Sequence, residues 1–211
     1  TVNQFSVIGT ENFTGHITPN GGSNGAVLTG LDSIVITEDK TATFAGVQLD
    51  GLTLSVAPTA GAAFLTVTAT TADTTDLSNV TAATDVTTAL NGGDGTAEIM
   101  KGTKGPGTDT ISPGTGTDLM TGGTGGTNIY VWTASDASAG DTITDLDDLP
   151  DTTVNQFNIT VTDTFANTID PNAAGNGAVL TGLDSIVITE DKTATFAGVQ
   201  VDGLTLSVAP T

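Results

Sequence analysis

The sequence predicts an all-β chain wound as a parallel β-solenoid, and three observations carry that prediction. Residues 104 to 121 are two consecutive nine-residue units, KGPGTDTIS and PGTGTDLMT, of the form x-G-x-G-x-D-x-U-x with U a large apolar side chain. An apolar residue at every eighth position, between glycine-rich turns, suits a stack of thin coils. Composition points the same way: 44 threonines and 27 glycines stand against seven Phe, one Tyr and one Trp. Threonine is a strand former whose hydroxyl tolerates water, so many half-exposed strands joined by small turns are expected. Finally, LDSIVI from residue 31 and LDGLTL from residue 49 begin 18 residues apart, the length expected of one coil, which would set Ile34 and Ile36 beside Leu52 and Leu54. Tandem β-sandwich domains are the alternative.

Taken in order, 33–37, 52–56 and 64–68 are short β-rich runs bounded by Gly, Asp and Pro. Residues 71–90 have apolar spacing that could hold a helical turn or two, but their threonines argue against it. Asn128–Trp132 reads as a strand closing the nonapeptide block, with Tyr130 and Trp132 covering the open end of the core. The acidic stretch 141–151, DTITDLDDLPD, has no EF-hand spacing and reads as a solvated connector.

A larger repeat organises the chain. Residues 1–59 recur at 153–211 with 45 of 59 positions identical. The chain therefore reads as one complete unit, 1–152, followed by the start of a second copy, 153–211. Within the unit, 1–91 are β-rich coils, 92–132 the nonapeptide block and 133–152 the connector. The duplication also tests single residues. Gly21–Gly25 fits the G-x-S-x-G hydrolase elbow, but the second copy reads Ala173-Ala174-Gly175-Asn176-Gly177, without the serine. His16, the sole histidine, precedes that serine and becomes Thr168 in the second copy. With no credible triad, no H-E-x-x-H and one histidine, an enzyme is not expected.

The nonapeptides have the spacing of a cation-loading turn. Gly105 and Gly107, then Gly114 and Gly116, let the backbone aim carbonyls at one point; Asp109 and Asp118 supply carboxylates; Ile111 and Met120 point into the core. The flanks keep this pattern with damage. Unit 92–100 retains the glycines and Ile99 in the eighth place but has Ala97 in the sixth; unit 122–130 retains Gly122, Gly123, Gly125 and Ile129 but has Thr127 there. Over residues 92–132 the chain resembles the RTX, or hemolysin-type, calcium-binding repeat of bacterial proteins exported by type I secretion. That resemblance implies Ca2+ held between turns two units apart, with Asp118 facing the loop around Asp94 and Asp109 facing the loop around Thr127 and Asn128. Each site then has one matched Asp and one imperfect partner, and affinities of ~10⁻⁴ to 10⁻³ M are expected. The candidate metal residues are Asp109, Asp118, Gly105, Gly107, Gly114, Gly116, Asp94, Gly123 and Gly125.

Charge narrows the function. Four lysines and no arginine stand against 24 acidic residues, a formal net charge of −20. Phosphate backbones and anionic lipid would repel such a chain, so nucleic acid and membrane surfaces are not expected partners. No apolar run approaches the ~20 residues of a membrane-spanning helix. In style the unit is similar to RTX-type surface-layer proteins, which implies a secreted, calcium-stabilised building block of a surface layer, sheath or filament. The expected partner is another copy, joined head to tail, with cell-surface polysaccharide as a further candidate. A spacer or binding segment of a giant RTX adhesin is the alternative.

Overall fold

The structure, a computed structural model, describes residues 2–14, 28, 30–69, 74–93, 97–133, 141–144, 153–160, 163–164, 183–196 and 207–210. Among them every strand pairing is parallel and joins segments one circuit apart. A β-solenoid has that topology, and β-sandwiches built of antiparallel hairpins do not. A leading sheet stacks Gln4–Val7, Ser33–Ile36, Leu54–Pro58 and Val80–Ala82. A long, nine-stranded sheet runs from Glu11–Asn12 through Thr41–Ala45, Ala63–Thr68, Val86–Asn91, Thr108–Ser112, Thr127–Trp132, Val154–Ile159 and Ser185–Ile188 to Ser207–Pro210. A trailing sheet stacks Thr74–Asp76, Ile99–Lys101, Leu119–Thr121 and Thr142–Thr144. Each coil adds a strand to the long sheet, with the leading sheet alongside its early coils and the trailing sheet alongside its middle ones.

Alternation along the strands builds the core. On the inner side of the long sheet, Phe44, Val67, Leu90, Ile111, Tyr130, Phe157 and Ile186 are successive register partners, and all are buried. Two residues earlier along each strand, a second inward column begins apolar and turns polar: Ala42, Leu65, Thr88, Asp109, Asn128, Asn155. The core is thus only a few side chains across, as the scarcity of aromatics requires.

Coils are longer than the expected 18 residues. Ser33 pairs with Ser55, Ile34 with Val56 and Ile36 with Pro58, so the predicted neighbours Leu52 and Leu54 are not the partners. The added length includes a single helical turn, Gly46–Leu49, which buries Leu49 and Gln48. Gln48 fixes this turn: its Oε1 accepts the Ala45 N–H at 2.7 Å and its Nε2 donates to the Phe13 carbonyl at 2.9 Å. Helix therefore appears here and not within 74–90, where the described residues form strands.

The two copies share their pairings. Gln4 with Ser33 becomes Gln156 with Ser185, Ser33 with Ser55 becomes Ser185 with Ser207, and Glu11 with Ala42 becomes Asp163 with Ala194. The sheets differ, however: the first-copy strands Gln4–Val7 and Ser33–Ile36 lie in the leading sheet, and their counterparts lie in the long one. Local sequence sets the register, and the repeat advances the chain one face around the solenoid.

Tyr130 and Trp132 do not close the stack. Val154–Ile159 continues it, with all six residues of Thr127–Trp132 in register, and Trp132 meets Phe157 edge to face at 6.1 Å. The connector is also partly interior: Asp141 is buried and Thr142–Thr144 is a strand. His16, the Gly21–Gly25 elbow and its counterpart at 173–177 lie outside the described residues.

Candidate functional site: the glycine-rich turns

Stacked glycine turns bring the backbone of each coil against the next. Gly105 and Gly125 face each other across one coil with φ of 104° and 81°, a left-handed conformation natural to glycine. A Cβ on Gly125 would sit 3.2 Å from the Gly105 carbonyl oxygen, and one on Gly107 2.9 Å from the Ala82 Cβ. A Cβ on Gly123 would run into the Thr103 carbonyl, and one on Gly114 into that of Gly93. Gly116 is close to extended, with φ of 158°. Gly126 has φ of 79°, and a Cβ there would strike the Gly107 carbonyl. Gly126→Ala should therefore lower stability by roughly 2–5 kcal/mol, from left-handed strain and a backbone clash together. Thermal unfolding checks this; a change under about 0.5 kcal/mol, the size of an ordinary surface substitution, would show that the turns are not stacked so closely.

The carboxylates point inward. Asp109 is 3% exposed: its Oδ2 accepts the Thr103 N–H at 2.7 Å and its Oδ1 the Thr103 hydroxyl at 2.8 Å. Burial dominates its acidity and pushes the carboxyl up to about 7, against the lowering effect of hydrogen bonds from Thr103 and Thr88. Asp118, equally buried, accepts the Glu98 N–H at 2.8 Å, and its own N–H donates to Asp141 Oδ1 at 2.8 Å. Glu98, Asp118 and Asp141 thus follow one another on successive coils of the trailing side, all buried.

The flanking units are not damaged as the sequence suggested. Met100, not Ile99, pairs with Met120 and enters the core, and Tyr130, not Ile129, pairs with Ile111. Glu98 and Asn128 therefore occupy the sixth place in preference to Ala97 and Thr127. Each flanking unit carries one more residue ahead of that place than PGTGTD does. The triplet acid-or-amide, any residue, large apolar recurs at Glu98, Asp109, Asp118, Asn128, Asp141 and Asn155, and aligning on it rather than on glycine would have found the columns.

Asp109 does face Asn128, its register partner. Asn128 closes its own turn, accepting the Gly123 N–H at 2.8 Å and donating to the Gly123 carbonyl at 3.0 Å, and its Nδ2 also donates to Asn155 Oδ1 at 2.8 Å. Asp94 lies outside the described residues, so its expected approach to Asp118 does too. Thr103 was not anticipated, although it holds both oxygens of Asp109. Among the described residues no three His, Cys, Asp or Glu side chains converge as a metal-holding group. Outside the columns, Asp76 takes hydrogen bonds from Lys101 Nζ at 2.8 Å and from Ser78; burial alone would raise its carboxyl, but these donors hold it below the usual value. No family model, no curated protein and no solved structure matches the chain.

Proposed function

We propose that the chain is a structural repeat of a secreted rod, a calcium-stabilised building block of an extracellular surface layer, sheath or filament. One observation carries this reading. The second copy continues the solenoid of the first through six parallel residue pairs, Thr127–Trp132 on Val154–Ile159, with the aromatic core column and the polar Asn128–Asn155 contact running across the boundary. Units joined this way add length without a hinge. Burial differs between the copies: Asn3 is exposed and Phe5 half-buried, whereas their counterparts Asn155 and Phe157, stacked on Thr127–Trp132, are both buried.

Calcium enters through the resemblance to RTX repeats and is supported by charge. At −20 the compact state is self-repelling, and cations that neutralise acids at the turns favour it. Calcium at Asp109 has to displace both the Thr103 donors and any proton on the carboxyl, which suits the weak, millimolar binding of extracellular modules. The double variant Asp109→Ala with Asp118→Ala should lose most calcium-induced protection of 97–132 in amide exchange. A variant responding to millimolar calcium like the parent contradicts the assignment.

The uninterrupted rod equally suits a spacer in a long adhesin, and electron microscopy of the purified chain, with and without calcium, separates the two. Regular fibres or sheets support the building block, and single rods support the spacer. Compact particles joined by flexible links contradict both.

A further inference from the structure

We propose that the outer face of the long sheet is a lateral docking surface for a second copy of this chain, packed face to face. The proposal rests on the rod reading and adds the direction in which rods associate. Its basis is the placement of charge. From Thr41–Ala45 to Val154–Ile159 the outward residues of six successive strands include no charged side chain, in a chain of net charge −20. The central outward column reads Thr43, Thr66, Ala89, Thr110, Ile129, Gln156 in register. Beside it, Phe64 is 40% and Val154 46% exposed. The acids are elsewhere: Glu38, Asp39, Asp50 and Asp85 lie in or beside turns, and Asp109 and Asp118 are inside. Glu11, in the first strand of that sheet, stands at one end of the face.

Two copies approaching through their turns bring like charges together. Approaching through this face they bring together an uncharged surface of hydroxyls, methyls, amides and one phenyl ring. Sheets packed this way sit about 10 Å apart with interdigitated side chains. Size then sets the strength. Six strands at ~4.8 Å spacing and about five residues of ~3.3 Å give a patch of about 500 Å² per copy. The pair buries about 1,000 Å², the lower bound for a specific interface. One unit therefore associates weakly, while a tandem array multiplies the contact along its length. Salt should strengthen the association, because the opposing force is repulsion between acids at the edges of the face.

Sedimentation of the full chain over a concentration series, at low and moderate salt, tests the proposal. The parent should dimerise more tightly as salt rises. Thr66→Asp with Thr110→Asp should weaken the dimer at least tenfold, and Ser55→Asp on the leading sheet should leave it unchanged. Because the chain has no cysteine, a spin label on Thr110→Cys reads the contact independently of folding losses: it should broaden on association, and a label on Ser55→Cys should not. Dimers indifferent to the paired Asp substitutions, broadening at residue 55 instead of 110, or a monomer at every concentration overturn the proposal. So does a monomer that partitions into ice or onto insoluble polysaccharide through this face, since that assigns the face to a crystalline surface. None of these outcomes bears on the continuity of the solenoid across the repeat boundary, on which the rod reading rests, so the two readings fail separately.

Discussion

Asp109→Asn is expected to raise the stability of the calcium-free chain above pH 7 relative to the parent. The residue sits in a column continued by Asn128 and Asn155, so an amide fits there. Burial holds the folded-state carboxyl at about 7 against an ordinary 3.8. A raised carboxylate value means that the folded state keeps its proton where the unfolded state has lost it. The penalty is absent below the unfolded value near pH 4, grows between there and about 7, and is full above. It is of the order of 4 kcal/mol at most, three units at about 1.4 kcal/mol each. The amide has no such dependence but loses one acceptor for the Thr103 hydroxyl, so a net gain of about 1–3 kcal/mol at pH 8 remains. Denaturant unfolding of both proteins with chelator from pH 4.5 to 8.5 gives the answer as a difference, since the other acids titrate in both. A difference flat across this range contradicts the buried placement. Millimolar calcium should stabilise the parent above pH 7 more than it stabilises Asp109→Asn, which keeps only the Asp118 turn.

Trp132→Ala should cost about 3–5 kcal/mol, the range for a fully buried large aromatic residue. Its consequence reaches beyond the first unit. Trp132 is wholly buried, packs edge to face on Phe157, and its carbonyl accepts the Thr160 N–H at 3.1 Å and the Thr160 hydroxyl at 2.7 Å. Those contacts tie residues 153–160 to the first unit. Stability in a stacked array is a sum of unit and neighbour terms, so the variant should lose protection in 153–160 and 183–196 before 30–69. Equal loss throughout would mean that the copies unfold as one body and that this interface has no separate role.

Solenoid topology was legible because its signals are local: apolar residues alternating with threonine, punctuated by Gly-rich turns. Coil length was not, because a helical turn at Gly46–Leu49 and added turn residues change the count without changing the pattern. LDSIVI and LDGLTL invite an 18-residue match, but Ile34 meets Val56, since the helical turn Gly46–Leu49 lies within the coil between them. The candidate site was legible in its residues and misread in its register. Glycine counts placed Ala97 and Thr127 in the acidic position. A one-residue slip turns a strand over, and the requirement that Met100 and Tyr130 enter the core brings Glu98 and Asn128 inward instead. Thr103 carries no sequence signal, because its role follows from a turn that folds back on Asp109. The continuation past Trp132 was hidden for another reason: aromatic residues at the end of a block look like a cap until the next strand is seen to stack on them.

The central claim is one unbroken solenoid running through the repeat boundary, and an electron-spin distance between labels on Ala89→Cys and Ser185→Cys tests it most directly. These residues are 96 apart in sequence and share one outward column through Thr110, Ile129 and Gln156. Four strand steps of ~4.8 Å place their Cα atoms about 19 Å apart. A narrow distribution near that value, widened only by the label arms, is the expected result. A broad distribution, or a mean beyond about 35 Å, would show two units that fold apart, contradicting the continuous rod.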